Sequence, residues 1–103
     1  MSNTEYFYPA GHPAAEGHFP GNPIIPGAML LADTLRAIAA AHGAALSLTG
    51  IKTAKFHAPA RPGDRVLIEF AAPAADRLRF TCLVDGATVL TGEALCDATS
   101  TAN

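Results

Sequence analysis

A helix with almost no polar side constrains this chain more than any other feature. From Pro26 to Gly43 the sequence reads PGAMLLADTLRAIAAAHG, and between Ala28 and Ala41 only Asp33, Thr34 and Arg36 carry polar side chains. Proline suits a helix start, where its missing N–H would have had no intrahelical partner, and glycine suits the stop. A helix is therefore predicted from Pro26-Gly27 to just before Gly43, with His42 at the end where the helix dipole favours a cation. A helix this apolar is wrapped by other structure rather than lying on a surface, and its alanines allow close approach from several sides.

The rest of the chain supplies the wrapping. After Gly43 the apolar period changes to two. In GIKTAKFHAP, Lys52, Ala54 and Phe56 alternate with Ile51, Thr53 and Lys55. In DRVLIEFAA, Val66, Ile68 and Phe70 share a face, and in RLRFTCLV so do Leu78, Phe80, Cys82 and Val84. The last strand, ATVLTGEALCDA, sets Leu90, Ala94 and Cys96 on one side, and Gly92 marks either a bulge or a point of close backbone approach. Turns are predicted at 61–64, at 73–76 and at Asp85-Gly86, the last a tight hairpin. Ahead of the helix, TEYFYPA reads as one short strand stopped by Pro9. Residues 11–26 read as a loop, because five of the eight prolines fall between positions 9 and 26. One helix and several antiparallel strands combine most economically as a curved antiparallel sheet around one central apolar helix, an α+β architecture. With 103 residues, half of them hydrophobic, the chain makes a single small domain, placed at 1–97, followed by a frayed polar tail at 98–103. So small a core is often supported by self-association, and a homodimer or higher oligomer is expected.

Charge and targeting signals narrow the function. The net charge is −2 and the seven Lys and Arg are dispersed, which excludes a nucleic-acid binder, since that needs a positive face to meet phosphates. MSNTEYFYPA has neither the basic start nor the apolar stretch of a signal peptide, and the longest nearly apolar run, 27–32, is far short of a bilayer span. The expectation is a cytoplasmic protein with no membrane partner. Cys82 and Cys96 lack metal-ligand spacing and read as buried thiols rather than a disulfide. Nothing in the pattern calls for a metal or a cofactor.

The chemistry concentrates in EGHFPGNPIIPGAMLLADTL, Glu16 to Leu35. His12 and His57 read as exposed and His42 as a helix-end residue. His18 is set apart by its surroundings: Gly17 before it and Phe19-Pro20 after it stiffen the backbone, and Pro26-Gly27 opens the buried helix eight residues on. A rigid loop can hold an imidazole in one place, and a neutral imidazole can act as a base near pH 7. The first N–H groups of a helix have no internal acceptors and carry the positive end of its dipole, so they can polarise a carbonyl as negative charge develops on it. A base beside such donors is the minimum needed to remove a proton next to a carbonyl. The alternative is that these glycines and prolines make only a tight turn.

GHFPGNPIIPG followed by an apolar helix resembles the signature of the 3-hydroxyacyl-acyl-carrier-protein dehydratases, which have the hotdog fold. KFHAPARPGDRV, Lys55 to Val66, is similar to the K-F-x-x-P-x-x-P-G-D segment of that family. The two motifs and their strands cover most of Tyr6 to Cys96. The resemblance implies a long helix wrapped by an antiparallel sheet, with two chains pairing into one continuous sheet and active sites at the dimer interface. It places the family's catalytic histidine on His18 and the glycine whose N–H binds the thioester carbonyl on Gly27. Phe19 and Pro26 join Gly27 as candidate substrate-binding residues. The family's second catalytic residue is a helix Glu or Asp supplied by the partner chain.

That last position departs from the family. Fourteen residues after the histidine stands Ala32, and the aspartate is its neighbour, Asp33. One helical step turns a side chain by about 100°. Asp33 could reach the site through a locally rotated or bulged helix start; water or another group could do the acid's work; or the protein could bind acyl thioesters without dehydrating them. The plainer reading of Asp33 is an exposed or partner-facing residue paired with Arg36 at i,i+3. The implied reaction is loss of water from a 3-hydroxyacyl thioester on acyl carrier protein (or coenzyme A) to give a trans-2-enoyl thioester in fatty acid or related acyl biosynthesis. His18 would be the base, Gly27 N–H the oxyanion donor and Asp33 the candidate acid. The other functions compatible with the pattern are a non-catalytic acyl-thioester-binding subunit and a hotdog thioesterase. The single strand ahead of the helix points to a short or medium acyl chain, because the family often carries further N-terminal structure over its acyl tunnel.

Overall fold

A computed structural model describes residues 2–11, 24–43 and 46–98. The elements run β1 (Ser2–Phe7), α1 (Gly27–His42), β2 (Leu46–Phe56), β3 (Arg65–Phe70), β4 (Arg77–Val84) and β5 (Ala87–Ala98). All five strands form one antiparallel sheet in the order β1-β3-β4-β5-β2. α1 lies against one face of this sheet. The strand alternation read from the sequence decides which face: Val66, Ile68, Phe70, Leu78, Phe80, Cys82, Leu90, Ala94 and Cys96 are all buried with Leu30 and Ile38 of the helix.

The punctuation falls where the residue types place it. Pro26 precedes α1 in an extended conformation, and its carbonyl accepts the first helical bond, from Leu30 N–H at 3.0 Å. Gly43, at φ 109°, ends the helix, and its N–H donates to Ala39 C=O. Asp85 and Gly86 both have positive φ, 51° and 81°, as a two-residue hairpin of this twist requires. Gly92 resolves as close approach: a Cβ there would lie 2.6 Å from the Thr53 carbonyl oxygen and 2.7 Å from the Phe80 ring. β5 runs one residue past the predicted domain limit, to Ala98.

Two expectations are corrected. The alternation predicted along 51–56 does not become a buried and an exposed face, since every residue from Lys52 to Phe56 is exposed. Register shifts between Leu48 and Gly50 and again between Ile51 and Thr53 interrupt the ladder with β5, so side-chain parity along β2 is not continuous. At the end of β2, Phe56 meets the start of α1, at Gly27, and is 49% exposed. The second correction concerns the helix. Its buried stripe is Leu30, Asp33, Thr34 and Ile38, so two of its three mid-helix polar residues point inward, whereas Ala28, Ala40 and Ala41 are not buried. Both inward groups have partners. Thr34 Oγ1 donates to Leu30 C=O at 2.8 Å and lies 3.4 Å from Cys82 Sγ.

Cys82 and Cys96 are buried free thiols, as their spacing suggested. Burial pushes the Cys82 thiol up from 9.0 to about 11, the Thr34 hydroxyl opposing this. The folded chain therefore keeps this proton over a range where the unfolded chain has lost it. The resulting stability is complete below pH 9.0 and is lost as pH rises through about 11. Tyr8, raised by burial and by the Asp33 carboxylate, acts in the same direction at still higher pH. The melting temperature should hold up to pH 9.0 and then fall toward pH 11. In Cys82→Ala the decline should be shallower; an unchanged slope would remove this thiol as a cause.

Candidate active site

The start of α1 carries the donors. The N–H groups of Gly27, Ala28 and Met29 precede the first i→i−4 bond, as the opening residues of any helix do. No acidic residue lies in the first turn and Pro26 offers no side-chain cap. The positive end of the dipole is thus left uncompensated by the residues of that turn.

Beside these donors lies a cavity of about 400 Å³. Ile24, Ile25, Gly27 and Leu30 form one wall, and Phe56, His57 and residues 58–60 the other. Most of that lining is hydrocarbon, so the space suits an apolar chain with a polar group at the helix end. Gly27 is small for a local reason: a Cβ on it would come within 3.1 Å of the Phe56 ring. That ring is half exposed and can yield. Gly27→Ala should therefore leave the melting temperature within a few degrees, since alanine favours a helix over glycine. The same methyl narrows the space between Gly27 and Phe56, and binding of an acyl thioester should weaken by about tenfold. Calorimetric titration with an acyl thioester beside a thermal scan separates the two effects.

The two sequence motifs meet physically. Tyr8 N–H donates to Asp64 C=O at 2.9 Å, Gly63 N–H donates to Tyr8 C=O at 2.6 Å, and Ile25 N–H donates to Ala60 C=O at 2.7 Å. The stretch from Pro9 to Ile24 is therefore tied at both ends to residues 60–64. The turn that receives it is held by Asp64 N–H to Arg61 C=O and by Arg61 N–H to the Asp64 carboxylate, with Gly63 at φ 94°. The pattern K-F-x-x-P-x-x-P-G-D thus contains the residues that bind Tyr8 and Ile25, which flank the stretch bearing His18.

The predicted site residues divide three ways. Gly27 lines the cavity and Pro26 adjoins it. His18 and Phe19 lie outside the described residues, as does His12. Asp33 is 4% exposed and is not among the cavity-lining residues. It pairs with Arg36 at i,i+3 as the sequence suggested. The exposed surface expected for that pair holds only for Arg36, because the buried Tyr8 hydroxyl donates to Asp33 Oδ2 at 2.7 Å. α1 is regular α-helix from its first turn, so Ala32 and Asp33 differ in direction by the ordinary helical step. Sequence reasoning missed Tyr8, whose signal was its shared parity with Tyr6 just before Pro9. It also missed the cavity position of Phe56 and His57. His57 is exposed, as read, with its Nε2 3.0 Å from Thr91 Oγ1.

A family model described as ApeI dehydratase, ApeI-like, matches residues 2–93. The chain belongs to the ApeI-like dehydratase family. It is 33% identical over 98 residues to the 3-hydroxyacyl-acyl-carrier-protein dehydratase FabZ of Yersinia enterocolitica, an alignment covering 84% of this chain and 56% of that protein. The chain spans about half the length of its FabZ relatives and 20% of a bifunctional LpxC/FabZ enzyme of Chlorobaculum tepidum. Among solved structures, the dehydratase heterocomplex ApeI:P of Xenorhabdus doucetiae superposes with a TM-score of 0.76 at 21% identity, over 91% of this chain and 84% of that one. A mutant of the fluoroacetyl-CoA-specific thioesterase FlK superposes with a TM-score of 0.66 at 13% identity, over 95% and 89%. These likenesses establish the hotdog fold of this ApeI-like chain. They also show that the fold accommodates more than one thioester chemistry, so function must be read from the site residues. Among the described residues of this family member, no His, Cys, Asp or Glu cluster could hold a metal ion, and no helix is long and apolar enough to cross a membrane.

Proposed function

We propose that this ApeI-like chain removes water from a 3-hydroxyacyl thioester carried on acyl carrier protein (or coenzyme A), giving a trans-2-enoyl thioester in fatty acid or related acyl biosynthesis. The observation that carries the reading is the apolar cavity that ends at the uncapped start of α1, at Gly27. An acyl chain lies in the hydrocarbon-lined space. Its thioester carbonyl accepts from Gly27 N–H, which acidifies the neighbouring C–H because negative charge develops on that oxygen. His18, nine residues before Gly27 in the motif, takes the α-proton as an imidazole base. The C–O bond to the 3-hydroxyl then breaks, and the oxygen leaves as water with the proton that the imidazolium returns. Phe19 and Pro26 help seat the thioester.

The site is completed by a second chain in this reading. β2 is an edge strand whose outer backbone groups have no partner among the described residues, and its last five residues are exposed on both faces. An unpaired edge of this length favours strand addition, and a second copy, making a homodimer, is the simplest occupant.

The test is conversion of 3-hydroxyacyl carrier protein to the trans-2-enoyl product, followed by mass spectrometry. Formation of the enoyl product, lost in His18→Ala, supports the enzyme. Intact binding with no turnover above that control removes it. Ala32, standing where the family has its acid, favours one second reading: a non-catalytic thioester-binding subunit that pairs with an active homologue. The ApeI:P structure, described as a heterocomplex, is consistent with such pairing. Turnover that appears only on adding a homologue with a helix acid would select it. Release of free thiol instead would identify a thioesterase.

A further inference from the structure

Asp33 is the carboxylate nearest in sequence to the position where an acid is wanted, yet its surroundings are those of an anchor. It is buried on the helix stripe with Leu30 and Thr34. One carboxylate oxygen accepts from the Tyr8 hydroxyl and the other from the Arg36 guanidinium. A general acid must present a protonated oxygen to the leaving group. Here both oxygens face protein donors, and Asp33 is absent from the cavity wall.

Tyr8, in turn, occupies a junction. It is the last residue before Pro9, where the stretch leading to His18 begins. It is fully buried, packs edge-to-face on Tyr6 at 4.9 Å, and is tied by its backbone to Gly63 and Asp64. Its hydroxyl is a side-chain tie from this junction to α1. The other end of the stretch is fixed at Ile25, two residues before Gly27. To these backbone ties through residues 60–64 the Tyr8 hydroxyl adds a direct one, from the entry point to the helix that begins at Gly27.

We propose that Asp33 is a positioning residue: it holds Tyr8, and with it the entry to the segment bearing His18, against α1, and it does not deliver the proton to the leaving hydroxyl. Arg36 completes the arrangement by occupying the second oxygen from the solvent side, where it is 70% exposed. The proposal rests on the dehydratase reading above and assigns the acid's work to a group other than Asp33.

Four variants of the full chain test it: Tyr8→Phe, Asp33→Asn, Asp33→Ala, and Tyr8→Phe combined with Asp33→Ala. Asparagine keeps a carbonyl oxygen that can accept from Tyr8, whereas alanine does not. The expected result is that Tyr8→Phe and Asp33→Ala each lower kcat by about tenfold with KM little changed. The double variant should fall little further, because both changes break the shared Tyr8–Asp33 bond. Asp33→Asn should keep most of the rate. If Asp33→Asn is as inactive as Asp33→Ala while Tyr8→Phe turns over normally, Asp33 is the acid and the proposal is overturned. A second readout does not depend on turnover. The proton NMR signal of the His18 imidazole should shift together in Tyr8→Phe and Asp33→Ala and stay put in Asp33→Asn. Should the wild-type chain show no dehydration, the functional reading fails, yet the NMR series still decides the anchor: a His18 signal unmoved in all variants overturns it.

Discussion

With His18 replaced by alanine, dehydration of a 3-hydroxyacyl thioester should slow by about 10²–10⁴-fold while the thioester still binds. The split follows from where each contribution comes from. In the proposed reaction, binding draws on the hydrocarbon wall of Ile24, Ile25, Leu30 and Phe56 and on the Gly27 amide, none of which the substitution alters. Proton removal, in the same proposal, draws on the imidazole. Loss of the base leaves the oxyanion donor and the bound geometry in place, so a residual rate above the uncatalysed one should persist. Steady-state kinetics would show kcat reduced with KM nearly constant. A variant with wild-type kcat would show that another group takes the proton. Loss of binding along with turnover would assign His18 to holding the loop instead of to chemistry, returning the motif to its reading as a tight turn.

The second large effect is on stability. Gly92→Ala should destabilise the fold by about 2–3 kcal/mol, lowering the melting temperature of a chain this size by on the order of 10–20 °C. The added methyl would lie 2.6 Å from the backbone oxygen of Thr53 and 2.7 Å from the Phe80 ring. The ring belongs to a buried side chain and the oxygen to the neighbouring strand, so neither yields without moving β2 or β4 from β5. Gly50→Ala is the matched control. Its methyl would meet only the Leu95 side chain at 3.6 Å, an ordinary contact, and it should melt within a few degrees of wild type. Equal melting of the two variants would show that the sheet relaxes around Gly92 and that the close approach costs little.

The two substitutions also show what kind of information each motif contains. Gly92 was readable as a constraint because an isolated glycine inside an alternating strand marks a bulge or a crowded backbone far more often than it marks nothing. His18 stands out in the sequence because glycine and proline flank it and Pro26-Gly27 follows eight residues on; its role in chemistry remains the proposal that the His18→Ala kinetics test. Asp33 was harder. Its neighbour Arg36 lies three residues away and can be read from helical spacing, but its other partner, Tyr8, is 25 residues distant. No local pattern announces that a hydroxyl from just past the end of β1 will reach it.

The same division runs through the whole chain. Sequence by itself determined the bounds of α1, the inward faces of β3, β4 and β5, the hairpin at Asp85-Gly86, and the union of two motifs in one family. These depend on backbone geometry, on residues with restricted or permissive φ, and on periods of 3.6 and 2, all of which are local. Tertiary structure alone decided that Asp33 and Thr34 turn inward, that the end of β2 lies exposed on both faces, and that residues 60–64 receive both ends of the histidine-bearing stretch. The physical reason is that burying a polar group requires a donor or acceptor already in place to meet it, and in a sheet wound around one helix those partners come from far along the chain.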